Sequence, residues 1–352
     1  MFNLSNPISC SKIVPSGEQL LLTKLFLDPD LFLEYAKFPM KAVQINTYGG
    51  IEVLEINENA PTPQPSKGQV LVEVHAASIN PIDYKIRAGF LKEMIPLQFP
   101  ATLGGDFAGV ILELGEGVTD FKVGDLVYGS AIILNGGSGA FAQILAAKVG
   151  NTALKPKNVD FAQAAALPLV GASALQALED HIKLKNGQKI LITGGAGGIG
   201  TIAIQLAKSL GAYVATTVGS KDIEYVKSLG ADEIIDYQTQ IFEQVLKDFD
   251  SVFDTVGGET SDKSFQVLKK GGVIVSMLGQ PNAELAQKYG AVATSQNTVT
   301  NTKALDRLAE LVDNGKIKIH VDKVFPLEEA KEAFKHLEEG HPQGKVVLKI
   351  NY

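Results

Sequence analysis

The stretch GGAGGIG, residues 194–200, follows the apolar run Lys189-Ile-Leu-Ile-Thr193 and opens into Thr201-Ile-Ala-Ile-Gln-Leu-Ala-Lys208. Five of its seven residues are glycine, so something must come close to the backbone there. Gly195, Gly197 and Gly200 satisfy G-x-G-x-x-G between a strand and a helix. The first glycine permits a tight turn, the second lets a diphosphate approach the main chain, and the third lets helix and strand pack closely. The free N–H groups and positive dipole end of the helix favour an anion. The stretch reads as a dinucleotide site within a βαβ unit.

Working outward, the apolar stripe Ile199, Ile202, Ala203, Leu206 and Leu210 predicts a helix over 199–210 that stops at Gly211. Short buried-type strands are expected at 190–193, 214–218, 234–235, 252–255 and 273–278, with amphipathic helices between them. Such alternation implies a parallel sheet covered on both faces. Before about residue 160 the pattern differs. Alternating or continuous apolar runs such as Val70-Leu-Val-Glu-Val-His75 are separated by Gly, Pro, Asn and Asp, which predicts a barrel-like domain of short strands. After 304 the expectation is a helix over 305–312, a strand at 317–321, a helix over 327–337 and a last strand at 345–350.

Composition narrows the function classes. The 352 residues suffice for two domains, with 45% apolar and 20% charged residues and no apolar run long enough to span a bilayer. A net charge of -7 argues against a nucleic-acid surface. The single cysteine, Cys10, excludes an internal disulfide and a multi-cysteine zinc site, and fits a reducing compartment, here taken as the cytoplasm. His336 and His341 are the only closely spaced histidines and read as solvated surface groups. Residues 1–39 carry Glu18, Asp28, Asp30 and Glu34 without arginine, unlike a signal or transit segment. Met40 is taken as the start of the functional unit.

The second strand of the nucleotide-binding half bears on cofactor choice. It ends Val218-Gly219-Ser220-Lys221-Asp222, with no acid where an NAD site would hold the ribose hydroxyls. Ser220 and Lys221 suit the 2′-phosphate of NADP instead, and Asp222 reads as the start of the next helix. The expected cofactor is NADPH.

Several stretches together resemble the medium-chain dehydrogenase/reductases: HAASINPIDYKIRAG (75–89), FPATLGGDFAGVILELGEGVTDFKVGDLVYG (99–129), LKPKNVDFAQAAALPLVGASALQAL (154–178), the glycine loop with its helix, SLGADEIIDY (228–237) and GKVVLKI (344–350). The resemblance spans residues 40–352. It implies an α/β fold, a doubly wound Rossmann sheet inserted in a GroES-like β-barrel catalytic domain. The implied boundaries are an extension at 1–39, the catalytic domain at 40–162, the NADP-binding domain at 163–300 and a return to the catalytic domain at 301–352. Homodimers joined through the edge of the Rossmann sheet, near 273–278, are also implied.

Zinc alcohol dehydrogenases of this superfamily place a metal-binding Cys and His where this chain has Asn80 and Gly105, so no zinc is expected. What remains resembles the quinone oxidoreductases and enone or alkenal reductases, whose N-P-x-D-x-K-x-R-x-G pattern is matched by Asn80 to Gly89. That likeness assigns Lys85 to both cofactor and substrate, with Asn80 and Asp83 in minor catalytic roles. It assigns Ser173, Tyr237, Leu278 and Lys345 to the cofactor, beside Gly195, Ala196, Gly197, Gly198, Ile199, Gly200, Gly219, Ser220 and Lys221 of the loop and strand end read above. The relatives' lysine at the place of Asp222 is absent, so the 2′-phosphate contact shifts to Lys221 or weakens. The implied reaction is hydride transfer from NADPH to a quinone or an activated C=C, with the Lys85 ammonium doing the work of the missing metal. The substrate pocket is expected to be shaped by loops such as 90–97 and 132–139, the NGGSG stretch of the second (135–139) being either a mobile wall or a plain flexible loop. A non-catalytic NADPH-binding protein and an enoyl-thioester reductase are the competing readings.

Overall fold

The computed structural model of the protein describes residues 39–351. The extension expected over 1–39, with Cys10, lies outside the described residues except for Pro39. Met40 opens the unit that runs to the end of the chain.

Among the described residues, the first half forms eight strands: Met40–Ile45 (β1), Leu54–Ala60 (β2), Gln69–Ile79 (β3), Ala101–Thr102 (β4), Asp106–Leu114 (β5), Leu126–Ser130 (β6), Ile144–Lys148 (β7) and Thr152–Leu154 (β8). β1 lies between β2 and β4, while β3 pairs with both β5 and β7. Close approach is built into this sheet. A Cβ on Gly109 would lie 2.0 Å from the Glu73 carbonyl across the ladder, so no side chain can stand there.

The chain then builds Lys189–Thr193 (β9), Tyr213–Val218 (β10), Glu233–Asp236 (β11), Phe249–Asp254 (β12), Leu268–Ser276 (β13) and Val292–Ser295 (β14). All neighbours are parallel, in the order β11-β10-β9-β12-β13-β14. The order reverses between β9 and β12, and in such a sheet the ligand crevice opens at the carboxyl ends of those two strands. Ile190, Leu191 and Ile192 are wholly buried, as a strand covered on both faces requires. The sequence missed β14, which makes 273–278 an internal strand flanked on both sides. Among the described residues the free edge on that side is Val292–Ser295, so the edge expected near 273–278 is corrected.

Val321–Pro326 (β15) and Lys345–Lys349 (β16) pair with each other, and β16 pairs with β3. The last strands therefore complete the first sheet system. The strand expected at 317–321 does not form. Ile317 and Ile319 are buried, but the Lys318 backbone is satisfied by one side chain: its N–H donates to Gln205 Oε1 (2.8 Å) and its carbonyl accepts from Gln205 Nε2 (2.9 Å). An amide in place of a strand partner leaves the segment extended without a ladder.

The two sheet systems share a core. Ala76, Ala108 and Tyr128 of the first pack in the same cluster as Ile190, Ile204 and Val275 of the second. The helices Phe161–Ala165 and Pro168–Leu175 lie between them, the second starting with proline at a position that needs no N–H. Tyr128 donates its phenolic hydrogen to the Leu305 carbonyl at 2.5 Å, and burial pushes its ionisation far above the ordinary range.

Candidate active site

The glycine loop sits at the carboxyl end of β9. Its helix, Gly198–Ser209, begins after Gly197, and no side chain caps it. The first-turn N–H groups therefore have no intrahelical or side-chain partner, as an anion site requires. The glycines differ in what they do. A Cβ on Gly195 would lie 2.1 Å from Thr216 Oγ1, and one on Gly200 would lie 2.3 Å from the Gly194 carbonyl. Both are fixed by internal packing. A Cβ on Gly197 would meet nothing nearer than 3.5 Å, leaving open space where a bound group could approach. Gly195, Ala196, Gly197, Gly198, Ile199 and Gly200 thus form a cradle whose chemistry fits a dinucleotide diphosphate.

Beside it, Asp254 at the end of β12 is wholly buried and accepts from Thr193 Oγ1 (2.9 Å), Ser276 Oγ (3.0 Å), Gly257 N (3.0 Å) and Val256 N (3.1 Å). The sequence reading missed this carboxylate. It locks three strand ends and the loop after β12. Leu278, half exposed, packs over Gly257 of that loop.

On the opposite wall, Asn80 begins the helix Pro81–Arg87. The whole N-P-x-D-x-K-x-R-x-G pattern has a local reason. Asn80 and Asp83 form a capping box in which Asp83 Oδ2 accepts the Asn80 N–H at 2.7 Å. Pro81 occupies the first helical position. Arg87, buried, grips Glu338 through both terminal guanidinium nitrogens at 2.9 and 3.2 Å. Gly89 takes φ +79° against the Tyr48 ring. Lys85 is the exception. Half-buried, it is the one charged side chain of the pattern with no hydrogen bond or ion pair among the described residues.

A second ammonium lies deeper. Lys345, buried at the start of β16, donates to the Ile79 carbonyl (2.6 Å) and to Asn80 Oδ1 (2.5 Å). That turns the Asn80 amide nitrogen toward Asp106, whose Oδ2 accepts it at 2.9 Å along with Leu169 N at 3.2 Å and Ser78 Oγ at 3.4 Å. Burial drives the titrations here. It raises Asp83 to about 7, a rise that the Asn80 N–H opposes. It also raises Asp106 against the pull of Lys345, and lowers Lys345 to about 8 against the pull of Asp106 and Asp83.

These residues do not fit a catalytic zinc. The Asn80 oxygen already holds an ammonium, and Gly105 offers no side chain, its nearest neighbours being Ile132 and Ser130. Among the described residues no group of three or more His, Cys, Asp or Glu could hold a metal ion.

At the far end of the crevice the structure gathers Gly219, Ser220, Lys221 and Tyr237. Gly219 faces the Tyr237 hydroxyl. Lys221 is exposed and reaches the His341 carbonyl at 3.2 Å. Here the sequence reading was incomplete, because an acid does stand nearby. Asp236, in register with Val218 on the neighbouring strand, binds the Ser220 hydroxyl at 2.6 Å, which holds its carboxyl below the usual range. Asp222 precedes the next helix but does not cap it, and its carboxylate accepts Gln343 Nε2 at 2.7 Å instead. Ser173 is buried, its hydroxyl shared between the Leu169 carbonyl and Thr298 Oγ1, both at 2.8 Å.

Of the two expected pocket loops, 90–97 exposes Phe90 and Met94 strongly, while Leu97 N is tied to the Tyr48 hydroxyl at 2.8 Å. The stretch 135–139 is neither of the two expected kinds of loop. Ser138 bonds Ala146 in both directions, Gly139 N donates to Ala131 O, and a Cβ on Gly137 would lie 2.2 Å from the same carbonyl. It is a tight, pinned turn.

Comparison with known proteins accords with this geometry. Residues 66–157 match the family described as alcohol dehydrogenase GroES-like domain, and residues 229–348 match zinc-binding dehydrogenase. The chain is 34% identical to the chloroplast envelope quinone oxidoreductase homolog of Arabidopsis thaliana, covering 88% of this chain and 98% of that one. It is 39% identical to an NADPH-dependent alkenal/one oxidoreductase, chloroplastic, of the same plant, over 88% and 79%. Among solved structures, the quinone oxidoreductase from Coxiella burnetii superposes with a TM-score of 0.83 at 37% identity, covering 89% of this chain and 99% of that one.

Proposed function

This chain belongs to the medium-chain dehydrogenase/reductase superfamily, in its quinone oxidoreductase and enone reductase branch, and from that premise we propose that it is an NADPH-dependent, zinc-independent reductase of quinones or of the activated C=C of α,β-unsaturated carbonyls. One observation carries the chemistry. Every charged side chain of the Asn80–Gly89 pattern is consumed by the fold except Lys85.

NADPH, when bound, supplies a hydride. The glycine loop would hold its diphosphate, and Lys221 with Tyr237 its 2′-phosphate. Ser220 can turn a donor toward that phosphate only by releasing Asp236 or Gln238, so Lys221 carries the larger share. Reduction of an enone or quinone builds negative charge on the carbonyl oxygen. The Lys85 ammonium donates a hydrogen bond to that oxygen, a stabilisation worth ~10²–10³ in rate. Water can protonate the resulting enolate carbon, so no further acid is assigned.

The test is NADPH oxidation against a panel of quinones, alkenals and enones, with NADH and with simple alcohols plus NADP as controls. Turnover of the panel with NADPH preferred is expected. Flat traces throughout would favour a binding protein without catalysis, and alcohol oxidation dependent on added zinc would sink the metal-free reading. Lys221→Ala should narrow the NADPH preference about tenfold. A homodimer joined along the free edge at Val292–Ser295, and a cytoplasmic location supported by the single cysteine, complete the proposal. Light scattering and cell fractionation check them.

A further inference from the structure

Asn80 and the glycine loop belong to different sheet systems, yet one short segment touches both. Gly344 N donates to the Ala196 carbonyl at 2.9 Å, and Gly344 forms an isolated parallel bridge with Gly197. The next residue, Lys345, lays its stem over the loop, its Cδ only 2.9 Å from where a Cβ on Gly198 would stand. That explains a glycine which G-x-G-x-x-G does not require. The head of the same side chain crosses to the Ile79 carbonyl and Asn80 Oδ1. Asn80 in turn starts the helix that presents Lys85, five residues on, and Gly344 needs φ +71° to make the passage.

We propose that Lys345 is a positioning residue that sets the Lys85 helix from the glycine loop, so that cofactor seated on the loop fixes the substrate-facing ammonium. This rests on the reductase reading above. The Lys345 head binds the oxygen of the Asn80 amide, which leaves the amide one orientation, nitrogen toward Asp106. Without the lysine, the Asn80 amide could rotate and the first turn of the helix would lose its fixed start. A misplacement of about 1 Å at a remote residue can cost ~10² in rate.

The competing explanation is that Lys345 only balances the buried carboxylates Asp83 and Asp106. Three proteins separate the two: Lys345→Met, the charge-balanced double variant Lys345→Met with Asp106→Asn, and Gly198→Ala, which displaces the lysine stem without removing its charge. Hydrogen–deuterium exchange of residues 80–90 is followed as NADPH is added, beside kcat and the NADPH dissociation constant. In the parent, NADPH should protect this segment. In Lys345→Met, at NADPH concentrations that saturate it, that protection should vanish and kcat fall about 10²-fold. The double variant should regain thermal stability but neither protection nor kcat, and Gly198→Ala, at NADPH concentrations that saturate it, should lose protection even if Lys345→Met does not fold. Full recovery of kcat in the double variant, or NADPH leaving residues 80–90 unprotected in the parent, overturns the proposal. If the parent reduces nothing on the panel, the reductase reading fails, yet the exchange comparison still decides the coupling.

Discussion

Two buried aspartates, Asp254 and Asp106, sit in surroundings that are opposite in kind. Asp254 is met by four neutral donors and by no charged side chain within hydrogen-bonding distance. Asp106 shares its pocket with an ammonium and a second carboxylate, and Asp83 Oδ1 there has no hydrogen-bond partner. A saturated neutral network is what a scaffold needs, since it stabilises one geometry with nothing left to bind. A pocket holding a buried lysine and two carboxylates carries a desolvation penalty that packing alone does not require. The difference separates a neutral, saturated wall from the charged wall on which the proposed chemistry rests.

The largest test of that contrast is Asp254→Ala. Four donors, three of them in buried bonds, lose their acceptor, and urea unfolding should show a loss of about 3–5 kcal/mol. A loss below about 1 kcal/mol would mean that the network is not structural. Lys85→Met lies on the other wall and should do the reverse. The fall in kcat/KM should be about 10²–10³-fold while unfolding free energy moves by less than about 0.5 kcal/mol. Parental turnover in that variant would remove Lys85 from the site.

Within the glycine loop the contrast repeats on a smaller scale. Gly200→Ala collides with backbone and should destabilise the fold, whereas Gly197→Ala meets only open space and should fold normally. The Gly197→Ala protein should nonetheless bind NADPH at least about tenfold more weakly, read by cofactor fluorescence, because its methyl fills the cradle. The smallest effect is on pH. Burial holds the proton on folded Asp83 until about 7, against 3.8 in the unfolded chain, with Asp106 and Lys345 the charged groups facing it. Its contribution is therefore greatest at low pH and is lost as pH rises through that window, because the unfolded chain releases the proton first. Asp83→Asn should flatten this fall in melting temperature, and an unchanged slope would assign it to other groups.

Much of this was legible beforehand. The glycine loop, the helix after it and the short buried strands follow from local rules, and the chain places them within a residue or a few of the reading. The losses share one cause. Lys345 is legible only as a cofactor contact that the resemblance implies, and its bond to Asn80 follows from the insertion of β16 beside β3. Asp254 ends a strand beside Thr193, 61 residues earlier, and Asp236 meets Ser220 only through the pairing of β11 with β10. The 317–321 segment has strand composition, but a glutamine more than a hundred residues earlier takes its hydrogen bonds. The extra glycine at 198 was the one available hint, since a loop with more glycine than its motif needs is accommodating something else.

By itself, the amino-acid order determined the nucleotide-binding unit and the short-stranded first half. Periodicity, glycine and side-chain chemistry act within a few residues, so these could be read directly. Only the tertiary structure decided which ammonium stands beside Asn80, which aspartates are scaffold, and where the sheet edge lies. Those depend on which distant segments become neighbours, and no local preference encodes that choice.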